Sequence, residues 1–171
     1  MLAFAMRITL SLLLLASIAS ATPTAPKPSL LDELRGRFER APELAKTKLA
    51  CKVAWTELPS HTPQGKPYTL LTCPPTNDQL YVMNGNVVSI GGTLAVYPDL
   101  RRSDAVMKDS RADLVAAKCK LVMDRNQMVI YDCPNHFAVT LLSNWNSKDD
   151  THSVSTLFGP SESLLPMLGL K

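Results

Sequence analysis

Apolar side chains recur along this chain at two spacings, one helical and one alternating. After Ser29, four of them fall on one face of a helix: Leu30, Leu31, Leu34 and Phe38. Residues three and four apart share a helical face. The pattern therefore predicts a helix from about Leu30 to Arg40, capped by Ser29 and ended by Pro42.

A second helical stretch is predicted from Pro98 and Asp99 to about Ala117. Ser110 can cap the segment that follows it, so an interruption of the helix is expected near that residue. The paired Arg101 and Arg102 then lie at the solvated start of the helix.

Shorter segments between and after the helices have the composition of strands separated by turns. Asn84-Gly85 is a strong hairpin signal, and Gly91-Gly92 is expected to break or bulge the strand that follows it. The polar stretch from Asn144 to Asp150 is predicted to be a loop. The predicted strands combine β-branched and aromatic residues with turn residues at their ends: Cys51–Glu57, Tyr68–Cys73, Gln79–Met83, Asn86–Tyr97, Phe137–Ser143 and His152–Phe158.

Two stretches of the chain share the same boundaries. Residues 51–74 and 119–134 both open with Cys-Lys-aliphatic and close with Cys-Pro. Each is interpreted as a hairpin whose two cysteines lie on facing strands. Export would place them in an oxidising compartment, so the predicted disulfides are Cys51–Cys73 and Cys119–Cys133.

Opposed cysteines would also fix the register of each hairpin, because facing positions in an antiparallel pair sum to a constant. The second hairpin would then turn through Arg125, Asn126 and Gln127. The predicted facing pairs are Leu121–Tyr131 and Met123–Val129 in the second hairpin, and Val53–Leu71 and Trp55–Thr69 in the first.

The order of helix, cysteine-bracketed hairpin and further strands occurs twice, in residues 29–98 and in residues 99–171. We interpret this order as an internal duplication; the alternative is coincidence, because few identities lie outside the brackets. The predicted fold is α+β, with two related halves, each a helix followed by antiparallel hairpins and holding one disulfide. About 150 residues suffice for one core, so the two halves are expected to form one continuous domain.

The first 21 residues have the pattern of a secretory signal peptide. Arg7 precedes a short apolar run that ends in Ala19-Ser20-Ala21, which predicts cleavage after Ala21. A Pro-rich linker follows at 22–28. The mature protein is therefore expected to be secreted or periplasmic, with no membrane segment, since a membrane span needs about 20 apolar residues.

The distribution of charge and the absence of known motifs argue against several classes of function. The net charge is only +3, with basic residues scattered among acidic ones, whereas nucleic-acid binders concentrate basic residues on one face. No phosphate-binding glycine motif, nucleophile elbow or zinc-ligand spacing is present in the sequence. No nucleic-acid partner, cofactor or metal is expected.

Two predicted disulfides and the absence of a catalytic motif favour a non-catalytic binding protein. Such a protein would act by protein–protein contact and be of the inhibitor, immunity or effector type. The partner is not identified by the sequence. Trp145 falls in the predicted polar loop, where it is either a partner contact or a ring that folds back over the edge of the sheet. For a contact, Asn144 and Asn146 beside it are the candidate polar groups. Two alternatives stay open. One is a small secreted hydrolase that uses His136 or His61 as acid and base; the other is a carrier that holds an apolar ligand between the two halves.

Overall fold

The structure, a computed structural model, describes residues 28–47, 51, 55–74, 78–125 and 127–170. Within these residues the fold is α+β, with three helices and one sheet of eight antiparallel strands. The predicted signal peptide, and the linker before Pro28, lie outside the described residues. The helices are α1 (Leu30–Thr47), α2 (Leu100–Ala116) and α3 (Ser161–Met167). The strands are β1 (Thr56–His61), β2 (Pro67–Cys73), β3 (Asp78–Met83), β4 (Asn86–Tyr97), β5 (Lys120–Arg125), β6 (Met128–Cys133), β7 (Phe137–Asn146) and β8 (Thr151–Pro160).

The sheet consists of two meanders that meet in its middle. Across the sheet, the strand order is β1-β2-β3-β4-β8-β7-β6-β5. Strands β1 to β4 follow each other as neighbours and form the first meander, and β5 to β8 form the second. The β4–β8 pair joins them, with Ile90 opposite Phe158 and Tyr97 opposite His152. We call this pair the seam.

The core lies between the sheet and the first two helices. Phe158 of β8 is fully buried and stacks on Phe137 of β7, with ring centroids 4.9 Å apart. Phe38 of α1 meets both rings edge-on at 5.9 Å. Leu114 brings α2 into the same cluster. The face of the sheet that carries these rings is called the helix face, and the opposite face is called the outer face.

The first helix is longer than predicted. It runs from Leu30 to Thr47 and passes through Pro42, so the predicted end at Arg40 is wrong. Proline lacks an N–H and therefore removes a backbone hydrogen bond from a helix interior. Here that loss does not end the helix, and the preceding Ala41 is completely buried.

The second helix is continuous. Asp99 caps it, since its side chain accepts a hydrogen bond from the Arg101 N–H at 2.9 Å. The predicted interruption at Ser110 is wrong, because Ser110 is buried within an unbroken helix. Arg101 and Arg102 lie exposed in its first turn, as expected.

Both disulfides have the predicted partners, Cys51 with Cys73 and Cys119 with Cys133. In the second hairpin Leu121 faces Tyr131 as predicted. The register then shifts between Leu121 and Met123, so Met123 faces Ile130 and not Val129. An extra residue in one strand displaces every later pair by one, which is why the predicted three-residue turn holds only two residues, between Arg125 and Met128.

The predicted register of the first hairpin is wrong. Leu71 faces Glu57 and not Val53, which lies outside the described residues, and Thr69 faces Pro59 and not Trp55. Strand β1 begins only at Thr56, so Cys51 precedes the strand. The disulfide therefore fastens the segment leading into β1 and not a facing pair. Pro59 is compatible with β1 because an edge strand has one unpaired side.

The hairpin signal at Asn84-Gly85 is correct, with positive φ at both residues (50° and 77°). The expected break at Gly91-Gly92 is not found, because β4 continues through both glycines. Its pairing with β8 instead shifts between Thr93 and Ala95. This irregularity therefore lies at the residue between them, and a second one lies at Val88, where the pairing of β4 with β3 shifts; neither lies at the glycines.

No helix among the described residues has the length and apolar character needed to cross a membrane.

Candidate functional site

Trp145 lies in a strand and not in a loop. Strands β7 and β8 pair as far as Asn146 opposite Thr151, so the predicted loop of residues 144–150 shrinks to 147–150. Trp145 is 58% exposed, as the contact hypothesis requires. Its indole N–H donates a hydrogen bond to Asp150 Oδ1 at 3.1 Å. This bond orients a large apolar ring at the end of the sheet.

The two asparagines beside Trp145 do not share its face. Successive side chains of a strand point to opposite faces, so Asn144 and Asn146 point away from the indole and cannot surround it. The facing residue of Trp145 is His152, and His152 faces Tyr97 across the seam. Tyr97, His152 and Trp145 therefore form one row across three strands, which we call the aromatic row.

His136, Ser161 and Asp132 are residue types found in serine catalytic triads, but they are not arranged as a triad. His136 is exposed in the turn after β6, and its backbone carbonyl accepts from the Ser161 N–H at 2.7 Å. The Ser161 hydroxyl donates directly to Asp132 Oδ1 at 2.7 Å. A serine nucleophile needs a base that takes its proton, and the His136 ring is not part of this chain of hydrogen bonds.

His61 is exposed at the end of β1, where it faces Pro67. No hydrogen bond joins a histidine side chain to a carboxylate within the described part of the chain. Nor do three His, Cys, Asp or Glu side chains of these residues converge closely enough to hold a metal ion.

An open concavity of about 290 Å³ lies at the seam. Asn144 lines it, as do Gln79 and Tyr81 of β3. The Tyr81 hydroxyl donates to Gln79 Oε1 at 3.0 Å, and burial raises the pKa of Tyr81 to about 12. The carrier hypothesis places an apolar ligand between the two halves. The concavity found there is lined by polar groups as well as by Leu142 and Leu157, so its lining is not purely apolar.

A second cavity, of about 280 Å³, lies between α1 and the strands β3 and β4. Arg37 and Arg40 of α1 line it, together with Asp78 and Trp55. Arg37 Nη2 lies 2.6 Å from Asp78 Oδ1. The sequence contained a signal for this pair of arginines, since they are three residues apart on a helix and must share a face.

The neighbours of Trp145 were missed because the strands were predicted too short. Had β7 and β8 been extended to the ends of the hairpin, alternation would have placed His152 beside Trp145 and the asparagines on the other face. Comparisons of the chain with models of protein families, with curated proteins and with solved structures find no match.

Proposed function

We propose that this protein acts without catalysis, by contact with another protein through the aromatic row. The observation that carries the proposal is the exposed indole of Trp145, fixed by its hydrogen bond to Asp150. Tryptophan is enriched among the few residues that supply most of the energy of an interface. A ring that is already oriented loses less conformational entropy when a partner covers it.

The proposed location is the extracellular space or the periplasm. The N-terminal pattern of a signal peptide supports it, and so do the two disulfides, which persist in oxidising compartments. An exported inhibitor, immunity protein or effector acts there by contact with a second protein.

We further propose that the two halves, residues 29–98 and 99–171, are related by duplication. Two features support this relation. The strand order reads the same from both edges of the sheet to the seam. Each disulfide also joins a cysteine that precedes the first strand of a meander to the last residue of the second strand, although Cys119 directly precedes β5 and Cys51 lies five residues before β1. An experimental structure whose two disulfide-linked hairpins superpose with the same hand would support duplication, and hairpins in unlike positions would contradict it.

Trp145→Ala is expected to weaken binding of the partner about thirtyfold, since truncation of a central interface residue costs about 2 kcal/mol. The partner is first captured by photo-cross-linking of the intact protein in the medium or periplasm of the producing cells. The captured protein is then purified, and its affinity for each variant is measured by calorimetry.

Leu58→Ala is the matched control, because Leu58 is 57% exposed and lies on β1 at the edge of the sheet. It should bind the partner as the wild type does. Both variants should unfold at the wild-type temperature, since neither removes a buried side chain. Wild-type affinity in folded Trp145→Ala would contradict the proposal. Loss of biological activity in folded His61→Ala or His136→Ala would instead favour the hydrolase.

A further inference from the structure

The cavity beneath α1 combines a fixed cation with an apolar floor. Its floor is formed by Leu80 and Ile90, which are 4% and 3% exposed. Trp55 supplies an aromatic wall and also packs against the core. Ligand pockets are typically apolar with a few placed polar groups, and their volumes begin at about 300 Å³. This cavity of about 280 Å³ therefore suits a ligand smaller than a drug-sized molecule.

The charged groups in this cavity favour an anion. Among the described residues that line it, there are two guanidinium groups, of Arg37 and Arg40, and one carboxylate, of Asp78. Asp78 fixes Arg37 through their 2.6 Å contact. Arg40 donates its Nε–H to the Gly36 carbonyl at 3.0 Å. Its two terminal nitrogens make no hydrogen bond or ion pair within the described part of the chain and can face a ligand. Guanidinium groups bind carboxylates through paired hydrogen bonds.

The packing around Arg37 shows that its position depends on the absence of a side chain below it. A Cβ added at Gly92 would lie 2.9 Å from Arg37 Nη2 and 3.1 Å from Asp78 Oδ1. Both contacts are with the ends of side chains, which can move. Gly92 therefore allows the Arg37–Asp78 pair to lie flat against β4, and an alanine there would displace the pair without blocking the backbone.

We propose that this cavity is a binding site for a small aromatic carboxylate, with the ring on Leu80, Ile90 and Trp55 and the carboxylate on Arg37 and Arg40. The site is separate from the aromatic row and does not depend on the function proposed for it. A flat ring matches the aromatic wall and the aliphatic floor, and one negative charge balances the excess of one guanidinium among the described lining residues.

The test uses 2-naphthoate as the probe, with its uncharged amide and inorganic phosphate as comparisons. Calorimetry should show that naphthoate binds about tenfold more tightly than the amide, because a hydrogen bond to a charged group is worth more than a neutral one. Phosphate, which has no apolar body, should not bind measurably. In ¹⁵N NMR spectra, naphthoate should shift the indole signal of Trp55 and leave that of Trp145 unchanged; Trp145→Phe assigns the two signals.

Three variants locate the site. Arg40→Gln should weaken naphthoate about tenfold through loss of a charged hydrogen-bond donor, whereas Arg101→Gln, at the exposed start of α2, should not change the affinity. Gly92→Ala should weaken naphthoate more than the amide, because it displaces Arg37. Melting temperatures are measured for every variant, so that only folded ones are compared.

The proposal is overturned if naphthoate does not bind at millimolar concentration. It is also overturned if the amide binds equally well, if folded Arg40→Gln keeps the wild-type affinity, or if the probe shifts Trp145 and not Trp55. Each of these outcomes would show that the cavity does not recognise the carboxylate.

Discussion

Phe158→Ala is expected to lower the free energy of unfolding by about 4 kcal/mol, a typical cost for emptying a buried phenylalanine site. Phe158 has no exposed surface, and its ring contacts the rings of Phe137 and Phe38. Loss of the ring removes these contacts and leaves a cavity where α1 meets the sheet. Urea denaturation followed by circular dichroism measures the change.

Phe158→Leu serves as the comparison. Leucine keeps much of the buried volume, so this variant should lose far less stability, on the order of 1.5 kcal/mol or less. If both variants lost the same amount, the aromatic stack would be the source of the stability and not the filled volume. A loss below about 1 kcal/mol in Phe158→Ala would contradict the placement of this ring in the core.

Gly159→Ala is expected to cost about 3 kcal/mol, although it adds only one methyl group. A Cβ at this position would lie 2.5 Å from the Val88 carbonyl oxygen and 3.1 Å from Ser89 Cα. Both are backbone atoms of β4, which cannot rotate away as a side chain can. The methyl group would therefore push the two strands of the seam apart. Thermal and urea unfolding both report the loss.

Gly36→Ala is the control, because it makes the same substitution at a position where the added Cβ has room. No atom lies within 4 Å of a Cβ added to Gly36, which is in the interior of α1. Alanine there should stabilise the protein by about 0.5–1 kcal/mol, because glycine is disfavoured inside a helix. If Gly159→Ala were also neutral or stabilising, the close approach of β8 to β4 at this position would be wrong.

Local signals in the sequence predicted the features that depend on few residues. Asn84-Gly85 specifies its own turn because both residues tolerate positive φ. The first two helices and the cysteine partners also followed from short patterns, whereas the short helix α3 was not predicted. The α+β class could therefore be predicted without knowledge of the tertiary contacts.

Features that depend on tertiary contacts could not be predicted in the same way. Pro42 costs a helical hydrogen bond, and no propensity shows that α1 continues past it. The register of the first hairpin depends on the pairing of β2 with both of its neighbours, and the cysteines alone do not fix it. The bulge in β5 likewise could not be predicted, because the sequence Leu121–Met123 contains no glycine or other residue typical of a bulge.

For the candidate site, the sequence drew attention to Trp145 but did not predict which residues lie beside it on the same face of the sheet. Trp145 was found because a tryptophan among polar residues is unusual. The residues beside Trp145 depend on how far β7 and β8 pair. Because the pairing continues to Asn146, the neighbour of Trp145 on its face of the sheet is His152 and not an asparagine. The cavity beneath α1 exists only because α1 packs against β3 and β4, and no local sequence pattern predicts this packing.

The seam also bears on how the chain assembles. Within each meander, every strand pairs with the next one along the chain, but β4 pairs with β8, from which α2 and three further strands separate it in the sequence. Until these two pair, both strands are open edges with unpaired N–H and C=O groups. A second molecule presents the same edges with the same register. The β4–β8 pair is therefore the place where two chains at high concentration could exchange meanders and form a domain-swapped dimer, with α2 as the crossing segment.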